Sequence, residues 1–162
     1  MTVKELFLAF LAKKNDPSSA GRQMPMHYGH NDLNIVSQSS PTGTQFLQAV
    51  GTAFAMQRNK NGNIVYVSSG DGTTSQGDFH EALNWASREK LPIIFHIQDN
   101  EYAISVHISE QTSGSSVHSM VKGYENLSRY DVDGTNFFET DLAFREAIDR
   151  AREGKGPSVV VS

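Results

Sequence analysis

Hydrophobic residues follow two kinds of spacing along the chain. Apolar side chains that recur every three or four positions predict helices; such segments cover residues 3–14, 44–57, 77–90, 117–124 and 141–153. Short continuous apolar runs suit strands that are buried on both faces; they cover residues 64–67, 92–97, 130–132 and 157–162. Helices that alternate with strands predict an α/β fold, with a central parallel sheet flanked by helices. Residues 20–43 show no sustained period and are expected to be irregular.

The same spacing predicts which side of each long helix faces the core. The expected inward positions are Leu47, Val50, Phe54 and Ala55 in the second helix, Ala82, Leu83 and Ala86 in the third, and Leu142, Ala143, Ala147, Ile148 and Ala151 in the last. Thr140 is expected to cap the last helix, and Gly154 and Gly156 to end it.

Length and the position of the final strand bear on domain organisation. A chain of 162 residues suits a single domain, residues 1–162. In parallel sheets, ligand-binding loops follow the carboxyl ends of strands, and here nothing follows the strand at 157–162. We therefore expect a fragment of a longer chain.

Composition excludes several classes of function. A net charge of −4 argues against a general nucleic-acid binder, which needs a basic face. No apolar run is long enough to span a membrane, and the first residues lack the features of a signal peptide. The absence of cysteine removes disulfides, thiolate metal sites and thiol nucleophiles. A cytoplasmic location is the default expectation.

The first candidate site is the segment Gly70-Asp71-Gly72-Thr73-Thr74, between a predicted strand and a predicted helix. Two glycines permit a tight backbone whose amides and nearby helix start suit a phosphate. The carboxylate of Asp71 suits a hard divalent cation. Taken alone the pattern is weak, because many strand-to-helix turns use glycine and aspartate for geometry only.

The second candidate follows the next predicted strand, at Asp99-Asn100-Glu101-Tyr102. Asn100 comes roughly thirty residues after Asp71, which fits one crossover between neighbouring parallel strands. Both residues would then stand at carboxyl ends on the same edge of the sheet. A carboxylate oxygen, an amide oxygen and a nearby backbone carbonyl form a partial shell for Mg²⁺, which diphosphate and water would complete.

These segments resemble a known family. Gly70-Asp71-Gly72 followed by Asp99-Asn100 resembles the thiamine diphosphate motif. GRQMPMHYG at 21–29, SSPTGTQ at 39–45, GDGTTSQGDFHEALN at 70–84 and YAIS at 102–105 resemble alpha subunits, or fused alpha parts, of 2-oxo acid dehydrogenases. The branched-chain (2-oxoisovalerate) members look most similar, and pyruvate and acetoin members share most of the motifs.

The resemblance implies a three-layer thiamine-diphosphate-binding fold and a set of roles. Mg²⁺ would be held by Asp71, Asn100 and the backbone carbonyl of Tyr102. Contacts to the cofactor would come from Ser40, Thr42, Gly70, Asp71, Gly72, Thr73, Asn100 and Ile104, with Ser40, Thr42 and Ile104 at its pyrimidine end. Ser39, Thr44 and Gln45 match positions that bind K⁺ in some members, although such a loop can equally satisfy its own amides.

The resemblance also implies partners and a reaction. A beta subunit or fused beta part would complete the active site and supply the activating glutamate, and a lipoyl-bearing acyltransferase would accept the acyl group left by a decarboxylated 2-oxo acid. An oligomer is implied. The isolated chain is expected to be inactive, because the upstream Tyr-Arg segment and the catalytic His of the family have no counterpart here.

Two positions depart from the family pattern. Asp99 stands where the first asparagine of the usual pair is found, and Gln98 stands where some branched-chain members carry arginine. The extra carboxylate would strengthen cation binding, or repel diphosphate if it faces inward.

Two other classes of protein remain open as hypotheses. A transketolase or acetolactate-type enzyme would share Gly-Asp-Gly without the other motifs, and a non-catalytic phosphate-binding module would lack Asn100 at this spacing.

The histidines are not spaced as the ligands of a zinc site. We expect a surface hydrogen bond between His80 and Asn84, a sheet position for His96, and a buried or interface position for Trp85. His27 is a weaker candidate for a role near substrate.

Overall fold

The computed structural model describes residues 1–37 and 39–162. They form two compact units, Met1–Thr42 and Gly43–Ser162, which are described separately. The assignment of residues 1–162 to one domain remains a prediction.

The first unit contains one α-helix, α1 (Val3–Phe10), and a 3₁₀ turn at Asn31–Leu33. Thr2 and Glu5 cap the start of α1 reciprocally, each side chain accepting from the other's backbone N–H. Every side chain of α1 stays at least partly exposed. The helix is shorter than the predicted 3–14, and Asp16 closes the turn that follows by accepting from the amides of Ser18 and Ser19.

The second unit is built around a four-stranded parallel sheet. Its strands are β1 (Val65–Gly70), β2 (Ile93–Gln98), β5 (Ser128–Asp131) and β6 (Ser158–Val161), in the order β1-β2-β6-β5. A two-stranded antiparallel hairpin, β3 (Tyr102–Ala103) and β4 (Val106–His107), follows β2. The predicted α/β class with a parallel sheet is confirmed.

Helices lie on both faces of this sheet. One face packs against α2 (Thr44–Asn59), α3 (Gly77–Glu89) and α5 (Val117–Met120), around an aromatic cluster in which the Phe46 ring centroid is 4.9 Å from that of Phe79. The other face packs against α6 (Phe137–Arg152) through Ala143 and Ala147. A short α4 (Ile108–Gln111) and 3₁₀ turns at Asp71–Ser75, Ser113–Ser115 and Val121–Gly123 complete the unit.

Three predictions about helix faces and caps are wrong. Ala55 is exposed, because the contacts of Phe46 with Phe79 and Phe95 rotate α2 so that Phe46, Ala49, Val50 and Ala53 face inward. Leu142 is exposed, because α6 approaches the sheet through its small residues. Asn136, not Thr140, caps α6: its Oδ1 accepts from the amides of Phe138 and Glu139, so the helix begins four residues earlier than expected.

Candidate functional site

The candidate site lies at the carboxyl edge of the sheet. β1 and β2 are parallel neighbours, and their last residues, Gly70 and Gln98, are paired. Asp71 therefore leaves β1 next to the point where Asp99 and Asn100 leave β2. The predicted placement of these segments on adjacent strands is confirmed.

Asp71 begins the 3₁₀ turn and is almost fully buried, with 2% of its surface exposed. Its backbone carbonyl accepts a hydrogen bond from the Thr74 hydroxyl at 2.7 Å. The Oδ2 atom of its carboxylate has no hydrogen-bond partner within the described part of the chain. A buried carboxylate oxygen without a donor is costly, and native proteins retain one only for a reason. A carboxylate oxygen in this position could hold a hard cation.

The turn after Asp71 is held against the β3–β4 hairpin. A Cβ atom added to Gly72 would lie 2.7 Å from the Cβ of Ala103, so only glycine permits this approach. Gln111 fixes the turn from a second side, since its Nε2 donates to the Gly72 carbonyl and to Ser75 Oγ, each at 2.8 Å. Sequence reasoning missed Gln111, because it lies in a polar stretch in which nothing local marks it.

Asn100 is exposed, and its Oδ1 accepts from the amide of Tyr102 at 2.9 Å. This Asx-type turn directs the chain into the hairpin. At the hairpin tip Ile104 has φ +58° and is fully exposed. A β-branched residue in the left-handed region is strained, and such strain concentrates at binding sites. The packing of Ile104 against a cofactor remains a prediction.

The site carries a concentration of negative charge. Burial raises the pKa of Asp99, and the carboxylates of Asp71, Glu101 and Asp131 act in the same direction, against a hydrogen bond from the Glu101 amide. Across residues 1–37 and 39–162, no three His, Cys, Asp or Glu side chains come together as a metal-binding group. Mg²⁺ in proteins takes one or two carboxylates and fills its octahedron with phosphate and water oxygens. The Asp71 carboxylate and the Asn100 amide oxygen are donors of the type that such a site uses.

Some of the remaining predicted site residues belong to the first unit and the others to the second unit. Ser40 and Thr42, both exposed, and Ser39 belong to the first unit, where Ser40 Oγ is 3.2 Å from His27 Nε2. Thr44 and Gln45 belong to the second unit, where Gln45 Oε1 accepts from the amide of Gly43. Their roles towards a pyrimidine ring or K⁺ remain predictions.

Among the other residues named in the sequence analysis, the prediction for His96 is confirmed, that for His80 is wrong, and that for Trp85 stays open in part. His96 lies in β2 as expected, with Tyr66 Oη 2.7 Å from Nδ1 and Ser162 Oγ 2.8 Å from Nε2. His80 approaches the hydroxyl of Tyr124 rather than Asn84, because Tyr124 packs over the start of α3. Trp85 is 42% exposed, which excludes a buried position in this chain, and it lies beside the guanidinium of Arg88. An interface position for Trp85 remains a prediction.

Comparison with known proteins extends this description. The sequence profile of the family described as "Dehydrogenase E1 component" matches residues 1–161. The alpha subunit of 2-oxoisovalerate dehydrogenase from Bacillus subtilis is 41% identical over 160 residues, which are 99% of this chain and 48% of that protein. The mitochondrial alpha subunit from Mus musculus is 40% identical over 157 residues, 96% of this chain and 35% of that protein. The chain thus spans half or less of the length of these relatives.

A solved structure shares the fold. It is an X-ray structure from Mycobacterium smegmatis described as that of a thiamin diphosphate-dependent enzyme, with a TM-score of 0.57, 25% identity, and coverage of 78% of this chain and 23% of that one. Fold and site define an α/β protein with a buried carboxylate at the carboxyl edge of a parallel sheet. With the profile match over nearly its whole length, the chain belongs to the dehydrogenase E1 component family.

Proposed function

We propose that this chain anchors Mg²⁺ and the diphosphate of thiamine diphosphate in the decarboxylating component of a 2-oxo acid dehydrogenase. The observation that carries the proposal is the buried Asp71 carboxylate, with Oδ2 unpartnered among the described residues, beside the strand end that bears Asn100. Relatives named as 2-oxoisovalerate dehydrogenase alpha subunits favour a branched-chain 2-oxo acid as substrate.

Each residue would have a simple binding role. Asp71, the Asn100 side chain and the Tyr102 carbonyl would hold Mg²⁺, and the backbone of Gly72 and Thr73 would contact the diphosphate. A cation bound at Asp71 would satisfy the oxygen that is otherwise unpaired. The Gly72–Ala103 contact fixes the distance between the turn and the hairpin, and so would fix the separation of the oxygens that meet the cation.

Ser40, Thr42 and Ile104 would contact the other end of the cofactor. When bound, thiamine diphosphate supplies a nucleophilic carbon and a cationic ring that accepts the electrons released with CO₂. This chain would position that ring rather than act on the substrate. We propose a beta subunit, or fused beta part, that completes the active site, and a lipoyl-bearing acyltransferase that receives the acyl group. We keep an oligomeric state and a cytoplasmic location as predictions.

Calorimetric titration with thiamine diphosphate and Mg²⁺ tests the proposal. The chain alone should bind weakly or not at all, whereas the protein assembled with its beta part should bind in a Mg²⁺-dependent manner and decarboxylate 2-oxoisovalerate in preference to pyruvate. Absence of Mg²⁺-dependent binding in the assembled protein would refute the cofactor role. Sub-micromolar binding by the chain alone would refute the idea that the cofactor site is shared between two parts.

A further inference from the structure

The short helix α4 joins the two segments that form the candidate site. Its first residue, Ile108, is 2% exposed and packs in the larger hydrophobic cluster. The amide of Ile108 donates to the carbonyl of Glu101, in the loop after β2, at 2.8 Å. The last residue of the helix, Gln111, donates through Nε2 to the Gly72 carbonyl and to Ser75 Oγ, in the turn after β1, each at 2.8 Å. Because Ile108 is anchored in the core, α4 holds this turn and this loop in one arrangement.

The side-chain amide of Gln111 can meet the turn in one orientation only. A backbone carbonyl accepts hydrogen bonds and never donates, so Nε2 rather than Oε1 must face Gly72. Both N–H groups of Nε2 are then used, one on the Gly72 carbonyl and the other on the Ser75 hydroxyl. An apolar side chain of the same length would donate to neither acceptor. The contact therefore requires a donor group at the end of a side chain of this length.

The bond to the Gly72 carbonyl also determines where the next backbone amide points. The carbonyl of Gly72 and the N–H of Thr73 belong to one planar peptide group, in which they point in opposite directions. By holding the carbonyl towards α4, Gln111 directs the Thr73 N–H away from α4. Thr73 is buried, and its backbone is one of the groups to which the proposed function assigns the diphosphate. Oriented backbone N–H groups are what such turns offer to a phosphate.

We propose that Gln111 is a positioning residue that sets how tightly the site holds a diphosphate group. The inference rests on the proposed function. Without the bond from Gln111, the peptide group between Gly72 and Thr73 is free to tilt, and a carbonyl oxygen that turns towards a phosphate oxygen repels it. Asp71 is held independently, by its place directly after β1 and by the hydroxyl of Thr74 on its carbonyl. Loss of the Gln111 amide should therefore weaken diphosphate binding and leave the turnover of the saturated enzyme unchanged.

The test compares variants of this contact in the protein assembled with its beta part. Gln111→Met removes both donors and nearly keeps the length and volume of the side chain. Gln111→Asn keeps the amide but is one methylene shorter, and it decides the test if Gln111→Met does not assemble. Ser75→Ala removes one acceptor and leaves the bond from Gln111 to the Gly72 carbonyl.

Gln57→Met is the matched control. Gln57, in α2, also donates two bonds through Nε2, to the carbonyls of Glu89 and Lys90 at 3.0 and 3.2 Å. Glu89 and Lys90 precede β2, so this contact lies at the opposite edge of the sheet from Asp71. The control removes the same kind of contact away from the site, and thermal unfolding of the cofactor-free proteins shows whether the two losses cost similar stability.

Calorimetry at saturating Mg²⁺ gives the Kd of thiamine diphosphate, and competition gives the inhibition constant of inorganic pyrophosphate, which carries the diphosphate group alone. We expect Gln111→Met and Gln111→Asn to weaken the binding of both probes by roughly tenfold, about the value of one hydrogen bond. In the decarboxylation of 2-oxoisovalerate, the KM for thiamine diphosphate should rise by the same factor while kcat at saturating cofactor stays near that of wild type. Ser75→Ala and Gln57→Met should stay near wild type in every measurement.

The outcomes separate the two proposals. A wild-type protein that binds no thiamine diphosphate, or from which pyrophosphate does not displace it, would overturn the proposed function. Tight binding of both probes by wild type and by the Gln111 variants alike would overturn the role of Gln111 and leave the proposed function intact. An equal loss in Gln57→Met, an unchanged inhibition constant of pyrophosphate, or a fall in kcat as large as the rise in KM would indicate a general structural effect and would also overturn the inference.

Discussion

Asp71→Asn should make the cation-free chain more stable and at the same time abolish cation binding. The carboxylate is 2% exposed, and its Oδ2 lacks a donor within the described residues. Asparagine has nearly the same shape but leaves a neutral group unpaired instead of a charged one. Hydrogen bonds to charged groups are worth about 1 kcal/mol more than those between neutral groups, and we take this as the difference in the cost of leaving each unmade. The variant should therefore gain about 1 kcal/mol in the free energy of unfolding.

Thermal unfolding in a chelator and in excess Mg²⁺ measures both effects. In a chain of this length, about 1 kcal/mol corresponds to roughly 2–4 °C in Tm, so the variant should melt higher in the chelator. Mg²⁺ at about 100 times its Kd should add about 2.7 kcal/mol to the wild type and nothing to the variant. The order of the two melting temperatures should then reverse.

Glu146→Gln is the matched control, since it neutralises an exposed carboxylate and should shift stability by less than about 0.5 kcal/mol in either condition. The reasoning fails if Asp71→Asn melts below wild type in the chelator. It fails equally if Mg²⁺ raises the Tm of both chains by the same amount.

Two further predictions concern packing and pH. Gly72→Ala should cost about 1–3 kcal/mol, because its Cβ would fall 2.7 Å from that of Ala103; Gly77→Ala, which meets open space at the start of α3, should be neutral or slightly stabilising. Urea unfolding compares them, and equal midpoints would contradict the packing argument. Burial lowers the pKa of His96, so as the pH falls this side chain takes up a proton in the unfolded chain before it does so in the folded chain. The contribution of neutral His96 to the free energy of unfolding should be fully present above about pH 6.5, and it should decrease as the pH drops from there through the lower pKa of the folded chain. His96→Gln should flatten this dependence; an unchanged acid loss in the variant would exclude His96 as its source.

The sequence predicted the order and type of the main elements of the second unit from local spacing. The helix expected at 77–90 is Gly77–Glu89, and the strand expected at 92–97 is Ile93–Gln98. Periodicity reports such elements because a helix or strand buried on one side must repeat its apolar residues at its own pitch. It was less successful with α2 and α6, where Ala55 and Leu142 turned out exposed. Their rotation is set by partners, the Phe79 and Phe95 rings for α2 and the sheet for α6, that are far away in sequence.

For the candidate site too, local patterns predicted some features and tertiary packing decided the others. The sequence alone brought Asp71 and Asn100 to one edge, because a crossover between parallel neighbours places successive strand ends side by side. Only the tertiary structure decided that Asp71 is buried with Oδ2 unpaired among the described residues, that Gly72 touches Ala103, and that Gln111 fastens the turn. These features depend on segments thirty to forty residues apart in the chain, and their separation in space is set by packing, which local patterns do not encode.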